Sequence, residues 1–344
     1  MKRVVTVIGA RPQFIKAAPL CIAFRAHGGF EHHLLHTGQH RDGNMSDVFF
    51  EQLAIDAPRW HLGICGGDHG EMTGRLLPGI EAVLKDQRPD LVVVLGDTNS
   101  TLAGALAALK LAIPVAHVEA GLRSHRAFQP EEINRRMVDS ASQILLCPTV
   151  TALATLRGEG RARDAHFVGD VMYDVALLAG TRDTGLLDKH GLAPDCYDLV
   201  TLHRAENVDD ETRLRRLLDH VRDSAEGKIL VFPIHPRTRR RTEQFGIRLD
   251  GFLVLDPLGY LEMSELLRHA HLLFTDSGGL QKEAYFNRTP AITLRDETEW
   301  TETVENGWNR LWHSPAWAPR REFEAYGDGR AAEKSVAVVH HYLQ

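Results

Sequence analysis

Residues 90–112 read DLVVVLGDTNSTLAGALAALKLA. The stretch DLVVVLGD (90–97) opens on an unbroken apolar run, with no alternation that would leave one face wet. Such a run suits a parallel strand covered on both faces. Gly96 and Asp97 close it, and the Ala- and Leu-rich segment that follows is strongly helix-forming. Strand, turn, helix is half of a βαβ unit.

The same alternation extends outward in both directions. VVTVIGA (4–10) reads as a buried strand followed by a helix from Pro12 to about Ala26, and HHLLHTG (32–38) as a second strand. IPVAHVEA (113–120) and ILLCPT (144–149) continue the series. After HFVGDVMYD (166–174) the pattern starts again: DLVTLH (198–203), KILVFPIH (228–235), FLVLDP (252–257), HLLFTD (271–276) and PAITLRD (290–296) alternate with helical stretches. The fold class expected is α/β, with two Rossmann-like doubly wound domains, 1–168 and 169–330, facing a cleft. The boundary is placed near Gly169 without any low-complexity linker to mark it.

The totals agree with this class. At 344 residues two domains are the natural division, and 43% hydrophobic residues are enough for packed cores. A net charge of −6 argues against nucleic-acid binding by bulk charge, so an anionic ligand must be held by local basic groups. Cys21, Cys65, Cys147 and Cys196 lie far apart with no CxxC pair, which fits reduced thiols in a cytoplasmic protein. The apolar run of MKRVVTVIGARPQF is too short for a signal peptide, and no run reaches the ~20 residues of a membrane helix. The histidines of residues 61–70 fit no metal-ligand spacing, so no metal is expected there.

Open parallel sheets bind ligands beyond the carboxyl ends of their strands. Arg11 and Lys16, Asp97, Glu119, His203, His235, Asp276 with Ser277, and Arg295 with Asp296 all follow expected strands. GARPQFIK lacks the GxGxxG of a dinucleotide site, so a nicotinamide enzyme is disfavoured and no redox cofactor is expected. Arg11 suits either a phosphate contact or an exposed helix start. In FTDSGGLQKEA, Ser277, Gly278 and Gly279 turn a strand into a helix whose free N–H groups suit a diphosphate. Glu283, one turn in, is placed to reach a ribose diol. Asp97 reads as a helix cap or as a general acid or base. His203, with Arg204 and Glu206 after it, reads as structural or catalytic.

VEAGLRSHRAFQPEEINRR (118–136) concentrates charge after a strand. Pro130 suits a first helical turn, Glu131 and Glu132 suit the positive end of its dipole, and Glu131–Arg135 and Glu132–Arg136 are i,i+4 pairs. That leaves Glu119, a carboxylate ending an apolar run, needing a reason to be partly buried.

In order along nearly the whole chain, GARPQFIKAAP, TGQH, GDTNSTLAGALAA, HVEAGLRS, PEEINRR, TLHRAEN, TDSGGLQKEA and LRDETEW resemble the non-hydrolysing UDP-N-acetylglucosamine 2-epimerases. The resemblance implies a glycosyltransferase-B-type pair of domains, a homodimer, and a C-terminal helix (331–344) that packs back on the first domain. It implies acid/base roles for Asp97, Glu119, Glu131 and His203, with Glu132 mostly supporting its helix. It implies UDP contacts from Arg11, Lys16, His235, Ser277, Gly278, Gly279 and Glu283. TGQH marks the region of a second, regulatory UDP-sugar site in some relatives. The chain departs from the family at Gln13, where RPE is common, and in PIHPRT around His235. GARPQFIKAA, TLHRAEN and LDPLGYLEM are closer to a subgroup acting on UDP-2,3-diacetamido-2,3-dideoxyglucuronic acid. Arg123, Arg126, Arg204 and Arg295 are then candidates to grip the C6 carboxylate. The alternatives are UDP-N-acetylglucosamine as substrate, a hydrolysing epimerase, a UDP-sugar glycosyltransferase and a non-catalytic UDP-sugar sensor.

Overall fold

The structure is a computed structural model describing residues 1–39, 56–124 and 128–344. Two compact units are present, Met1–Val175 with Glu324–Gln344, and Ala176–Phe323. Among the described residues no helix is long and apolar enough to cross a membrane.

The first unit runs β1 (Lys2–Ile8), α1 (Arg11–His27), β2 (Phe30–His36), β3 (Trp60–His61), α2 (His69–Gln87), β4 (Leu91–Leu95), α3 (Asn99–Lys110), β5 (Val115–Val118), α4 (Pro130–Ala141), β6 (Ile144–Cys147), α5 (Val150–Gly158), β7 (Ala165–Phe167) and α6 (Val171–Gly180), the last crossing into the second unit. The run at 91–95 is the central strand β4, all five residues buried. The sheet order is β3-β2-β1-β4-β5-β6-β7, with parallel pairing throughout. Strand order reverses between β1 and β4, and at such a switch point the loops leaving two neighbouring strands diverge and open a crevice. Arg11 and Asp97 therefore begin on adjacent strand ends. IPVAHVEA is strand only to Val118, because Glu119 takes a left-handed φ of 68° that extended pairing cannot accommodate. Gly104 has a packing reason: a Cβ there would come 3.2 Å from Val7 and Val94 side chains, so only glycine lets α3 lie this close to the sheet.

The second unit runs α7 (Leu186–His190), β8 (Tyr197–Thr201), α8 (Ala205–Val208), α9 (Glu211–Ser224), β9 (Ile229–Pro233), α10 (Pro236–Gln244), β10 (Phe252–Leu255), α11 (Tyr260–His269), β11 (Leu272–Thr275), α12 (Gly278–Phe286), β12 (Ala291–Thr293), α13 (Thr301–Glu305) and β13 (Asn309–Leu311). Its order, β10-β9-β8-β11-β12-β13, places a second switch point between β8 and β11. His203 and Ser277 lie just past those two strands.

The last helix, α14 (Ala331–Tyr342), belongs to the first unit, with His340 against His27 of α1 at 4.5 Å between ring centroids. Its amino terminus is capped from far away in sequence: the Asp174 carboxylate accepts from Ala331 N at 3.0 Å and Ala332 N at 2.8 Å. Burial pushes the Asp174 carboxyl up to about 6, and these two N–H groups act against that rise. Asp174→Ala leaves both donors without that acceptor. The expected cost is about 0.5–2 kcal/mol, as for other lost helix caps. Hydrogen exchange across 331–342 should quicken, and unchanged protection there would show that the cap is not holding α14.

Candidate active site

At the β1/β4 switch point Arg11 begins α1, and among the described residues no carboxylate pairs with its guanidinium. The turn before it is fixed by Gln13. Its Oε1 accepts from Gly9 N (2.8 Å) and Ala10 N (3.0 Å), and its Nε2 donates to Leu95 O (2.8 Å) and Thr101 Oγ1 (3.0 Å). A glutamate could accept the first pair but, once ionised, could donate nothing to Leu95 O. The departure from RPE at this position therefore ties the β1 turn to the end of β4.

Asp97 does not cap the following helix. Thr98 does, its Oγ1 accepting from Thr101 N at 3.3 Å. The Asp97 carboxylate instead pairs with Arg135, and its backbone carbonyl accepts from Asn134 Nδ2 at 3.0 Å. Both partners come from α4, which starts at Pro130 as its sequence predicts.

Glu119 is 6% exposed, and its burial has a reason: Lys16 Nζ lies 2.5 Å from its Oε2. Burial alone would lower the Lys16 ammonium. The attraction and hydrogen bond of Glu119, with Asp170 and Asp97 nearby, outweigh it and leave Lys16 above its ordinary value. Lys16 is thus a cation paired with a carboxylate.

The two glutamates of α4 differ sharply. Glu131 is exposed, and among the described residues no basic side chain pairs with it. Glu132 is completely buried, accepting from Ser124 N (2.9 Å), Arg135 (2.6 Å) and Arg136 (2.7 Å). Arg135 thus turns to Glu132 and Asp97 rather than to Glu131. Glu132 does more than favour a helix dipole, since it also pins the chain at Ser124. Arg123 is occupied as well, donating to Asp139 (2.6 Å) and, through two nitrogens, to Glu159 (2.9 and 2.5 Å). Its guanidinium therefore already has two acidic partners. Arg126, and His40 of TGQH, lie outside the described residues.

At the β8/β11 switch point the organising residue is Asp276, fully buried. It accepts from the backbone N–H groups of His203 (3.0 Å) and Arg204 (2.9 Å), from Asn207 Nδ2 (3.1 Å), and stands 3.0 Å from His203 Nδ1. Burial would raise its carboxyl; His203 and these N–H groups outweigh that and hold it below the ordinary carboxylate range. A carboxylate can only accept, so Nδ1 carries the proton and Nε2 remains the ring atom for proton exchange. Sequence reading placed Asp276 at a strand end without assigning it this role.

His235 lies with its ring centroid 5.6 Å from that of His203 and caps α10, its Nδ1 accepting from Arg237 N at 3.1 Å. Burial, then the neighbouring His203, lowers it below the usual imidazole value. Ser277 caps α12, whose first turn is Gly278 and Gly279. A Cβ at Gly278 would come 2.4 Å from Glu299 Oε1, so a side chain there would require the Glu299 carboxylate to move. Gly279 is exposed and Glu283 partly buried on the same helix. Arg204 Nε donates to Asp276 O at 2.9 Å. Arg295, 8% exposed, donates Nη1 to Glu299 at 2.7 Å, while its buried Nε has no hydrogen-bond partner.

These two switch-point clusters carry the motifs of one family in order, and a family model described as UDP-N-acetylglucosamine 2-epimerase matches residues 22–340. The chain belongs to that family. It is a UDP-sugar 2-epimerase, an isomerase, with the two-unit α/β fold of the glycosyltransferase-B type. It is 50% identical over 314 residues to the UDP-2,3-diacetamido-2,3-dideoxy-D-glucuronate 2-epimerase of Pseudomonas aeruginosa, covering 90% of this chain and 88% of that one. It is 43% identical over 318 residues to a UDP-N-acetylglucosamine 2-epimerase of Methanocaldococcus jannaschii, covering 89% and 87%. A crystal structure of the M. jannaschii UDP-GlcNAc 2-epimerase, in complex with UDP-GlcNAc and UDP, matches with a TM-score of 0.82 and 38% identity over 99% of this chain and 100% of that one.

Proposed function

We propose that the protein inverts C2 of a UDP-2-acetamido sugar by eliminating UDP and adding it back, and that its preferred substrate is UDP-2,3-diacetamido-2,3-dideoxyglucuronic acid. The observation that carries the mechanism is Glu119, a carboxylate buried beside Lys16 in a left-handed backbone conformation. A group held so rigidly near a strand end is suited to proton transfer. In the first half-reaction the C1–O bond breaks, its electron pair leaves with UDP, and a carboxylate takes the C2 proton. The C1=C2 bond of a 2-acetamidoglucal forms. A proton then returns to the other face of C2 and a UDP oxygen adds to C1. Asp97, Glu119, Glu131 and His203 are assigned to these proton transfers, and two faces require at least two groups. Arg11, His235, Ser277, Gly278, Gly279 and Glu283 are assigned to UDP, whose departing charge their donors stabilise. Lys16 holds Glu119 and adds positive charge nearby. In heavy water the product should carry deuterium at C2 without added nicotinamide cofactor. Turnover without solvent deuterium would overturn the mechanism.

The sugar assignment rests on the resemblance to the P. aeruginosa enzyme and on Arg295. Arg295 is a buried arginine whose Nε makes no hydrogen bond and has Glu206 Oε1 only at 3.8 Å, so that donor can still take a closer acceptor. Leaving a buried donor without its acceptor costs about 1–3 kcal/mol, so a neutral CH₂OH at C6 should bind less well than a carboxylate. The expected kcat/KM ratio is roughly 5- to 150-fold in favour of the uronic acid. Side-by-side kinetics decide it, and a preference for UDP-N-acetylglucosamine would reject this substrate.

A homodimer is assigned from the family resemblance. The exposed Ile133 and Met137, one turn apart on α4, offer it apolar surface. Light scattering should return twice the 38.4 kDa chain mass, and a single-chain mass would remove the dimer.

A further inference from the structure

We propose that His117 and Asp139 form a buried positioning pair that sets the two turns carrying Asp97 and Glu119, an inference that rests on the acid/base reading above. His117 has no exposed surface. Its Nε2 lies 2.7 Å from Gly96 O and its Nδ1 lies 2.7 Å from Asp139 Oδ1. Gly96 O can only accept, so Nε2 donates to it, while Nδ1 meets the Asp139 carboxylate, and the ring bridges the two. The second Asp139 oxygen accepts from Gly121 N at 3.0 Å and from Arg123 at 2.6 Å. The bridge therefore joins the residue before Asp97 to the residue two beyond Glu119.

These turns need such a bridge. Gly96, Glu119 and Gly121 all have left-handed backbones, at φ 63°, 68° and 82°. For Glu119 that conformation is disfavoured and persists only where surrounding contacts impose it. The two turns also touch, since a Cβ on Gly96 would lie 3.3 Å from Glu119 Oε2. Displacing one would displace the other. Helix α4 supplies the remaining anchors: Asn134 on Asp97 O, Arg135 on the Asp97 carboxylate, and Asp139 itself. Arg123 is fixed on its far side by Glu159, so Asp139 is held from the solvent side as well. His117 thus acts through the backbone, without touching substrate. Proton transfer falls off steeply when the donor and acceptor leave hydrogen-bond reach, so a small loosening here should appear in turnover before binding.

The test uses His117→Phe, which keeps a ring and removes both ring nitrogens, and Asp139→Asn, which keeps shape and lowers acceptor capacity. Turnover, KM, UDP affinity and hydrogen exchange are measured at a temperature where each variant is fully folded. The positioning role predicts kcat lowered roughly 10- to 100-fold, KM and UDP affinity within about twofold by the same argument, and faster hydrogen exchange confined to residues 96–98 and 119–122. The conservative His117→Gln, which retains one donor, should recover part of kcat. A lowered melting temperature with unchanged kcat and unchanged local exchange would make the pair structural only and overturn the proposal. Equal losses in UDP binding and turnover would also overturn it. Hydrogen exchange does not depend on the identity of the sugar. If the parent protein failed to introduce deuterium at C2, the acid/base reading would fall, while the exchange data would still show whether His117 orders the two turns.

Discussion

Glu119→Gln should lower turnover by roughly 10²–10⁴, the range typical of a lost proton-transfer group. Gln preserves the shape and can still accept from Lys16, so the expected change in UDP affinity is small. Its amide cannot take a proton from C2. The charge balance also changes, because Lys16 loses the partner that holds it above its ordinary value. Unfolding should be followed alongside kinetics, since a buried lysine beside a neutral group is less favourable. The clean signature is a large loss in kcat in a protein that still melts cooperatively and still binds UDP by calorimetry. His203→Asn should behave similarly, and Asp276→Asn should lower kcat by misorienting His203, because an amide can present a donor where Nδ1–H requires an acceptor. Turnover of Glu119→Gln within threefold of the parent would take Glu119 out of the reaction.

Glu132→Ala is the substitution expected to damage the fold most. It removes a fully buried carboxylate from Arg135, Arg136 and the Ser124 N–H together. Breaking one side of a buried ion pair typically costs about 3–5 kcal/mol, because the remaining charge is buried without compensation. Arg136 is half exposed and can return to water, while Arg135 is largely enclosed and loses one of its two acidic partners, keeping Asp97. At about 2–4 °C per kcal/mol for a unit of this size, the melting temperature should fall by roughly 6–20 °C. Activity should fall too, because Arg135 also holds Asp97. Glu131→Ala, on the exposed side of the same turn, should leave melting within about 1 °C, as for most surface substitutions. Equal melting shifts for the two variants would contradict the difference in burial between them.

The α/β class was legible in the sequence because the signal is local. Uninterrupted runs such as LVVVL and ILVFP can be satisfied only between two covering layers, and the helices that cover them follow at once. The placement of Arg11, Asp97, His203 and Ser277 at strand ends was legible for the same reason. The motif order, spread along the chain, points to the epimerase family. Strand ends were less visible: β5 stops early because of a left-handed glutamate, and β3, β7 and β13, of two or three residues, carry too little pattern to register.

Partnership was the part that only the tertiary structure decided. Spacing rules offered Glu131 to Arg135, yet Arg135 meets Asp97, 38 positions away. Lys16 meets Glu119 across 103 positions, and Asp276 organises His203 across 73. Arg123, a candidate for the substrate, is claimed by Asp139 and Glu159. Periodicity reports which face of an element is apolar. It carries no information about which of several identical charges will be enclosed, because that choice depends on the desolvation cost and the donors that distant segments bring to the same place. The sequence by itself therefore determined the layers, the placing of the candidate residues after strands, and the family. The packing of α4 against α3 and β5 decided that Glu132 is buried and Glu131 remains in water.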